Sequence, residues 1–237
     1  MNKYNFVHLH NHTEYSLLDG MMKIESMVLK AKEFGMNSLA ITDHGNLYGA
    51  IEFYQACLLH GIKPIIGSEF YITPYSRLEK SGPRQHLTLL AKSEIGYKNL
   101  LKLSSLSFIE GFYYKPRIDR SLLEKYKEGL ICLSGCLQGE IPSLIVEGKI
   151  KEAENTAKYF QGLFGIDSFF LELQVHGIRE EKIVAKALYA MSKSLRIPVV
   201  ATNDAHYLNR EDSEAHDVLL CIGTKSRLTD PGRIGDL

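Results

Sequence analysis

No run of the 237 residues reaches the roughly 18 consecutive apolar side chains of a membrane-spanning helix, and the opening MNKYNFVHLH is too polar for a secretion signal. A cytoplasmic protein is expected. Cysteine is scarce, and Cys57, Cys132, Cys136 and Cys221 form no CxxC pair. A disulfide framework is therefore excluded, and at most one or two thiols are left for chemistry. Net charge is absent too, because 28 basic residues cancel 28 acidic ones. That argues against a whole-molecule electrostatic grip on nucleic acid, so any anionic substrate must be met by something local. With no internal repeat, low-complexity segment or linker-like break, a single domain over residues 1–237 is expected.

What is present is ample for one large core, since 45% of the residues are apolar. Short β-branched or apolar runs alternate with segments of helical period, the pattern of βα units rather than of hairpins. Seven such runs stand out: Phe6 to His10, Ser38 to Thr42, Pro64 to Gly67 with a continuation through Phe70 to Thr73, Leu87 to Ala91, Leu130 to Ser134, Phe169 to Gln174, and Pro198 to Thr202. Helical faces are written by Ile24, Met27, Val28 and Ala31, by Ile150, Ala153, Ala157 and Phe160, and by Ile183, Val184, Ala187, Leu188, Met191 and Leu195. Ser121 and Glu124 have the spacing of a capping box. Gly61 to Pro64 and Arg196 to Pro198 read as helix-to-strand connections, and Thr73 to Arg84 as a long exposed loop. The pattern predicts an α/β fold, either a closed barrel with its site on the C-terminal rim or an open doubly wound sheet with its site in one crevice.

The nine histidines are not scattered. His8, His10 and His12 alternate, so a strand would carry all three on one face, emerging beside Glu14 and Asp19. The second run leads into Asp43 and His44, of which one need face a site while the other orients it from behind. The third run ends at Glu69, the fifth at Cys136, and the seventh at Asp204 and His206. An acid after a strand is ordinarily a helix cap and a cysteine a small hydrophobe. Several strands delivering such residues at one end is the way a barrel rim assembles a site. Imidazole, carboxylate and one thiol together suit zinc, manganese or iron, and the number of donors suits more than one ion. Clustered divalent cations in a neutral protein would clamp phosphate oxygens, which makes phosphoester hydrolysis the natural expectation.

The segments HLHNHTEYSLLDG (8–20), ITDHGNLYGAIEFY (41–54), GSEFYI (67–72), YYKPRID (113–119), LSGCLQGEIP (133–142) and VVATNDAHYL (199–208) closely resemble the polymerase and histidinol phosphatase (PHP) domain, in the branch found in bacterial replicative polymerases. The resemblance covers essentially the whole chain. It implies a distorted (β/α)7 TIM-like barrel of the PHP type, holding up to three divalent metal ions, zinc first, with manganese or iron as alternatives. Carried over position by position, the metal ligands would be His10, His12, Asp19, His44, Glu69, His86, Cys136, Asp204 and His206, with His10, His12, Asp204 and His206 catalytic. His86 falls at the start of its run, which is the wrong rim unless the chain reverses before it. His8 is expected behind the metals, Glu172 and His176 share a strand face with no matching role, and Lys115 and Arg117 are candidates for a phosphate.

The resemblance implies a metal-dependent phosphoesterase of the 3′ to 5′ exonuclease, proofreading type. Its partners would be a DNA 3′ end, the remainder of a DNA polymerase III alpha subunit and a proofreading exonuclease subunit, with no membrane. Ending at Leu237, the chain is expected to be an excised domain or a truncated product that cannot polymerise alone. A catalytically silent, metal-stabilised scaffold and a free-standing phosphatase for a small phosphomonoester are the competing readings.

Overall fold

The computed structural model describes residues 6–230. The first five residues of the opening segment and the last seven of the chain lie outside the described residues. In chain order the elements begin with α1 (Ile24–Glu33), β1 (Ser38–Ile41), α2 (Ala50–His60), β2 (Lys63–Thr73), β3 (Gln85–Ala91), α3 (Glu94–Ile109), β4 (Arg117–Asp119) and α4 (Arg120–Tyr126). They continue with β5 (Leu130–Leu133), α5 (Glu140–Val146), α6 (Ile150–Phe164), β6 (Phe169–Leu173), α7 (Arg179–Leu195), β7 (Val199–Ala201), a 3-10 turn (Arg210–Asp212) and α8 (Ser213–Thr224). The fold is mixed α/β, in two compact units.

The first unit gathers the chain up to His44, Tyr48–Ile66, and the chain from Asp204 onward. In α1 the buried residues are Ile24, Met27, Val28 and Ala31, one stripe at the spacing read from the sequence, with Glu25 in the first turn and Lys30 and Lys32 in the last to match the helix dipole. They pack with Met22, Leu39, Ile41, Phe53, Cys57 and Ile62. Each such aliphatic or aromatic side chain contributes about 1.5–3 kcal/mol by leaving water. Helix α2 stops at Gly61, whose φ of 71° is left-handed, and Lys63–Ile66 of β2 then pair in parallel with β1.

Residues 6–10 do not form the strand expected of them. The backbone from His8 to Thr13 is extended beside β1, with Ala40 N–H donating to His8 O and Thr42 N–H to Asn11 O, both at 3.0 Å. Side chains interrupt the ladder: Asn11 N–H donates to Thr42 Oγ1 at 2.8 Å, and Asn11 Nδ2 to the carbonyls of His8 and Ala40. On the other side His12 N–H donates to Ala205 O at 2.8 Å. A segment whose partners are half side chain has no regular register, so the two-residue alternation brings His10 and His12 together without a true strand.

The second unit holds Gly45–Leu47 and Gly67–Asn203. Its strands lie in the order β4, β2, β3, β5, β6, β7. Here the expected succession of parallel βα units fails. Strand β3 is antiparallel to both β2 and β5, while β4 pairs with β2, β6 with β5 and β7 with β6 in parallel. Loop 74–84 turns the chain back on itself, so β2 and β3 form a long hairpin. Strand β4 and helix α3 escaped the periodicity reading because β4 is three residues long and the buried face of α3 is Gly96, Leu100, Leu103 and Ser107, half of it not apolar. The cap of α4 is Asp119 rather than Ser121. The Asp119 carboxylate accepts Leu122 N–H at 3.0 Å, and Ser121 Oγ donates to it. On α7 the buried face is Glu181, Val184, Leu188 and Met191, which leaves Ile183 exposed.

Candidate metal centre

In the first unit, residues from four stretches of chain meet. The turn 13–20 is closed by Ser16 N–H to Thr13 O at 2.8 Å and Gly20 N–H to Ser16 O at 2.8 Å. A Cβ on Gly20 would stand 2.1 Å from Thr13 O, so only glycine lets this turn carry Asp19 back. His44 Nε2 then donates to Asp19 Oδ2 at 2.9 Å, and His216 Nε2 to Asp19 O at 2.8 Å. Asp204 adopts a left-handed φ of 47°, a region that aspartate enters more readily than most residues. Its Oδ1 lies 3.1 Å from His12 Nε2 and 3.3 Å from His10 Nε2. His206 stacks on His12 with ring centroids 4.2 Å apart, and its Nδ1 donates to Asp204 O at 2.8 Å. His12, His44 and His206 form a second triad of converging donors beside His10, His12 and Asp204.

The proton positions can be counted. Ser16 Oγ accepts His44 N–H at 3.1 Å and donates to Asp43 Oδ1 at 2.7 Å, which leaves it an acceptor for His12 Nδ1–H at 2.9 Å. Asp43, with Thr13 N–H and Thr13 Oγ1 also donating to it, lies behind this relay and does not join the donors itself. Burial pushes the Asp43 carboxyl up, and those donors oppose the shift. With Asp43 ionised, His12 carries its proton on Nδ1 and turns the Nε2 lone pair towards the Asp204 carboxylate. Burial, reinforced by the neighbouring His44 and His206, lowers His12 to about 3, so it is neutral at ordinary pH. His206, its Nδ1–H held by a carbonyl, likewise turns an Nε2 lone pair inward. Burial alone would raise Asp19, but the His44 hydrogen bond and the neighbouring imidazoles of His206, His44 and His12 outweigh it and hold the carboxyl at about 2. The His12 Nε2 lone pair and the Asp204 carboxylate oxygen, facing one another at 3.1 Å, repel unless a cation lies beside them. The residues therefore fit a divalent ion with nitrogen and oxygen ligands.

The second unit brings together Glu69, His86 and Cys136. His86 Nδ1 donates to Glu69 Oε1 at 2.9 Å, and Cys136 Sγ lies 3.6 Å from that oxygen and 3.4 Å from His86 Nδ1. Because β3 runs antiparallel, its beginning lies opposite the end of β2: His86 pairs with Tyr71 and Thr88 with Glu69. The wrong-rim difficulty comes from assuming a parallel strand. Gly135, at φ 84°, lets the chain pass His86 O, where a Cβ would stand 2.8 Å away, and so places Cys136.

Other candidates fall elsewhere. The His8 ring is edge-on to Phe6 at 4.9 Å, its pKa lowered by burial. Glu14 pairs with Lys23 at the surface. Glu172 accepts Gly135 N–H at 3.0 Å and Thr202 Oγ1–H at 2.5 Å, tying β5, β6 and β7. His176 bridges Glu181 Oε1 (2.7 Å) and Asn203 O (2.8 Å), so these two do not form a joint site. Arg117 is fully buried and donates to the carbonyls of Gly111, Arg77, Glu79 and Ser81, a brace for loop 74–84 and no contact for phosphate. Lys115 is exposed. Sequence reasoning missed Ser16, Thr13 and His216. Ser16 had a signal, four residues after His12, but nothing in its type marked it as a proton relay.

A family model described as the PHP domain matches residues 8–176. The chain belongs to the PHP domain family. Among curated relatives, the DNA polymerase III subunit alpha of Treponema pallidum is 51% identical over 239 residues, covering 99% of this chain and 20% of that protein. That of Borreliella burgdorferi is 51% identical over 234 residues, covering 97% and 20%. This PHP chain thus spans about a fifth of the length of those relatives. In fold it is similar to a protein named as a candidate metal-dependent phosphoesterase from Bifidobacterium adolescentis, with TM-score 0.53 and 14% identity over 85% of this chain and 87% of that one. A two-domain Bacteroides vulgatus protein containing a predicted PHP-like metal-dependent phosphoesterase gives TM-score 0.51 and 14% identity over 84% and 51%. Among the described residues no helix is long and apolar enough to cross a membrane.

Proposed function

We propose that this PHP chain is a metal-dependent phosphoesterase of the 3′ to 5′ exonuclease type and works in DNA replication as part of a DNA polymerase III alpha subunit. The observation that carries the reading is the convergence of His10 Nε2 and His12 Nε2 on Asp204 Oδ1, with the His12 proton directed away from the gap. We assign His10, His12, Asp19, His44, Glu69, His86, Cys136, Asp204 and His206 as ligands for up to three divalent ions, zinc first and manganese or iron as alternatives. Bound divalent ions supply Lewis-acid polarisation of a phosphoryl group and acidify water. The chain's own part is to hold the donors ready. Ser16 and Asp43 fix the His12 tautomer, the Asp204 carbonyl fixes that of His206, and burial keeps His12 neutral. His10, His12, Asp204 and His206 are the residues assigned to the reacting phosphoester. The single-domain reading over residues 1–237, the distorted (β/α)7 TIM-like barrel, a cytoplasmic location and a proofreading exonuclease subunit as partner belong to the same proposal.

The test is nucleotide release from a labelled single-stranded 3′ end with zinc or manganese, compared between wild type and Asp204→Ala. Release by the wild type, lost in the variant, is expected. Metal-loaded wild type no faster than the variant would overturn the enzymatic reading. A second reading, a scaffold docking the remainder of an alpha subunit, is favoured by one observation: Ile51, Tyr54 and Leu58 present an exposed apolar stripe along α2. If a ligand substitution lowers stability and no hydrolysis is ever measured, that reading replaces the first.

A further inference from the structure

We propose that the surface around Tyr114 and Arg84 binds single-stranded DNA. The inference rests on the phosphoesterase reading, whose substrate class it names, but the surface is defined independently of the donor groups' chemistry. Tyr114 is 73% exposed, at a left-handed φ of 60° that non-glycine residues seldom adopt. Its ring stands edge-on to Tyr113 at 4.6 Å, and the Arg84 guanidinium lies 5.4 Å from its centroid. The Lys115 ammonium lies 5.4 Å from the ring of Tyr71, which in turn meets the His86 ring at 5.2 Å. Rings and cations thus continue outward from the second donor group.

The support is stiff. Loop 74–84 is braced by Arg117, which donates to three of its carbonyls and ties it to that of Gly111, and Arg77 donates to Glu110 at 2.7 Å and to Asp119 at 3.0 Å. Those bonds also neutralise the two acids, leaving Glu79 as the exposed carboxylate of the loop. Among the described residues no ion pair engages Arg84 or Lys115. An exposed ring with one unpaired cation against it and a second on the nearby Tyr71 ring suits a ligand offering both flat faces and negative charge. Unpaired nucleobases on a phosphate backbone provide the two together, whereas a duplex hides its base faces. In a chain with no net charge, this patch is the local positive element such a strand requires.

The test is fluorescence anisotropy of 5′-fluorescein dT12, its 3′-terminal linkages phosphorothioate so that the probe is not shortened. Tyr114→Ala should bind about 5- to 100-fold more weakly, and Tyr114→Phe, which keeps the ring, as well as wild type. Arg84→Ala should weaken binding and reduce the slope of log K against log salt by about 0.7. A 12-base-pair duplex should compete poorly. Wild type that does not bind dT12, Ala variants that bind like wild type, or a duplex that competes equally would each overturn the proposal. Circular dichroism checks the fold of each variant. Hydrolysis of bis(p-nitrophenyl) phosphate, run in parallel, separates the two readings. A protein that binds dT12 through Tyr114 yet hydrolyses no ester keeps this site and loses the phosphoesterase reading. One whose Tyr114→Ala variant binds dT12 like wild type yet hydrolyses the small ester normally keeps the enzyme and loses this site.

Discussion

The donors around Asp204 and those around Glu69 are built on opposite principles. Around Asp204, protons are led away from the gap: the Nδ1–H of His12 goes to Ser16 and that of His206 to a carbonyl, and only at the Asp19 edge of that group does an imidazole, His44, donate directly to a carboxylate. In the second, a proton lies inside the group, because His86 Nδ1 donates directly to Glu69 at 2.9 Å. The Asp204 side of the first group is arranged for a cation before one arrives. The second must give up the His86–Glu69 hydrogen bond to accept a cation, which should lower its affinity by roughly that bond's worth, ~1.5–3 kcal/mol for a bond to a charged group.

The sharpest break is Asp204→Ala, which removes the oxygen on which two imidazoles converge. Zinc affinity measured by calorimetry should fall about a thousandfold, or ~4 kcal/mol, whereas His86→Ala should cost less. Equal losses would erase the distinction between the groups. Next in size is Arg117→Met, away from both groups. Stripping four carbonyls of their buried donor should lower stability in urea by about 3 kcal/mol while leaving zinc affinity intact. Ser16→Ala should follow, with a 10- to 100-fold loss of zinc affinity, since it frees the His12 tautomer without touching the ion, and a stability loss of about 1–2 kcal/mol from the hydrogen bonds to the buried His44 N–H and Asp43 carboxylate that it removes.

The smallest expected effect concerns pH. Burial alone would raise the Asp119 carboxyl, but the N–H groups of Arg77 and Leu122, the Ser121 hydroxyl and the Arg77 guanidinium hold it below the usual range. A folded pKa below the unfolded one stabilises the protein above roughly pH 4 and loses that contribution as pH falls further, by on the order of 1 kcal/mol. Urea midpoints from pH 6 to pH 3 should therefore decline less steeply in Asp119→Asn. An unchanged slope would mean that the loop brace does not depend on this charge.

Much of the first group is legible because its signals are local: His10 and His12 alternate, Asp204 and His206 alternate, and α1 shows its core stripe as Ile24, Met27, Val28 and Ala31. What stays hidden is set by direction and by polarity. A run such as Leu87 to Ala91 reads the same in a parallel or an antiparallel strand, so His86 is assigned an end of the sheet only once loop 74–84 is seen to reverse the chain. His8 fits the alternation of His10 and His12, yet Asn11 and Thr42 side chains break the ladder beside it and its ring turns to Phe6. Arg117 and Lys115 are two residues apart in one motif; nothing in their chemistry shows that one is sealed among carbonyls and the other exposed. Ser16 is invisible as a relay because its role exists only once Asp43 and His44, distant in the chain, meet it beside His12.

The most direct test of the central claim is an anomalous difference map at the zinc edge from crystals grown with zinc. The account predicts a peak about 2.0–2.2 Å from His10 Nε2, His12 Nε2 and an Asp204 oxygen. Density there explained by water alone, or those imidazoles turned apart with zinc bound only elsewhere, would contradict it.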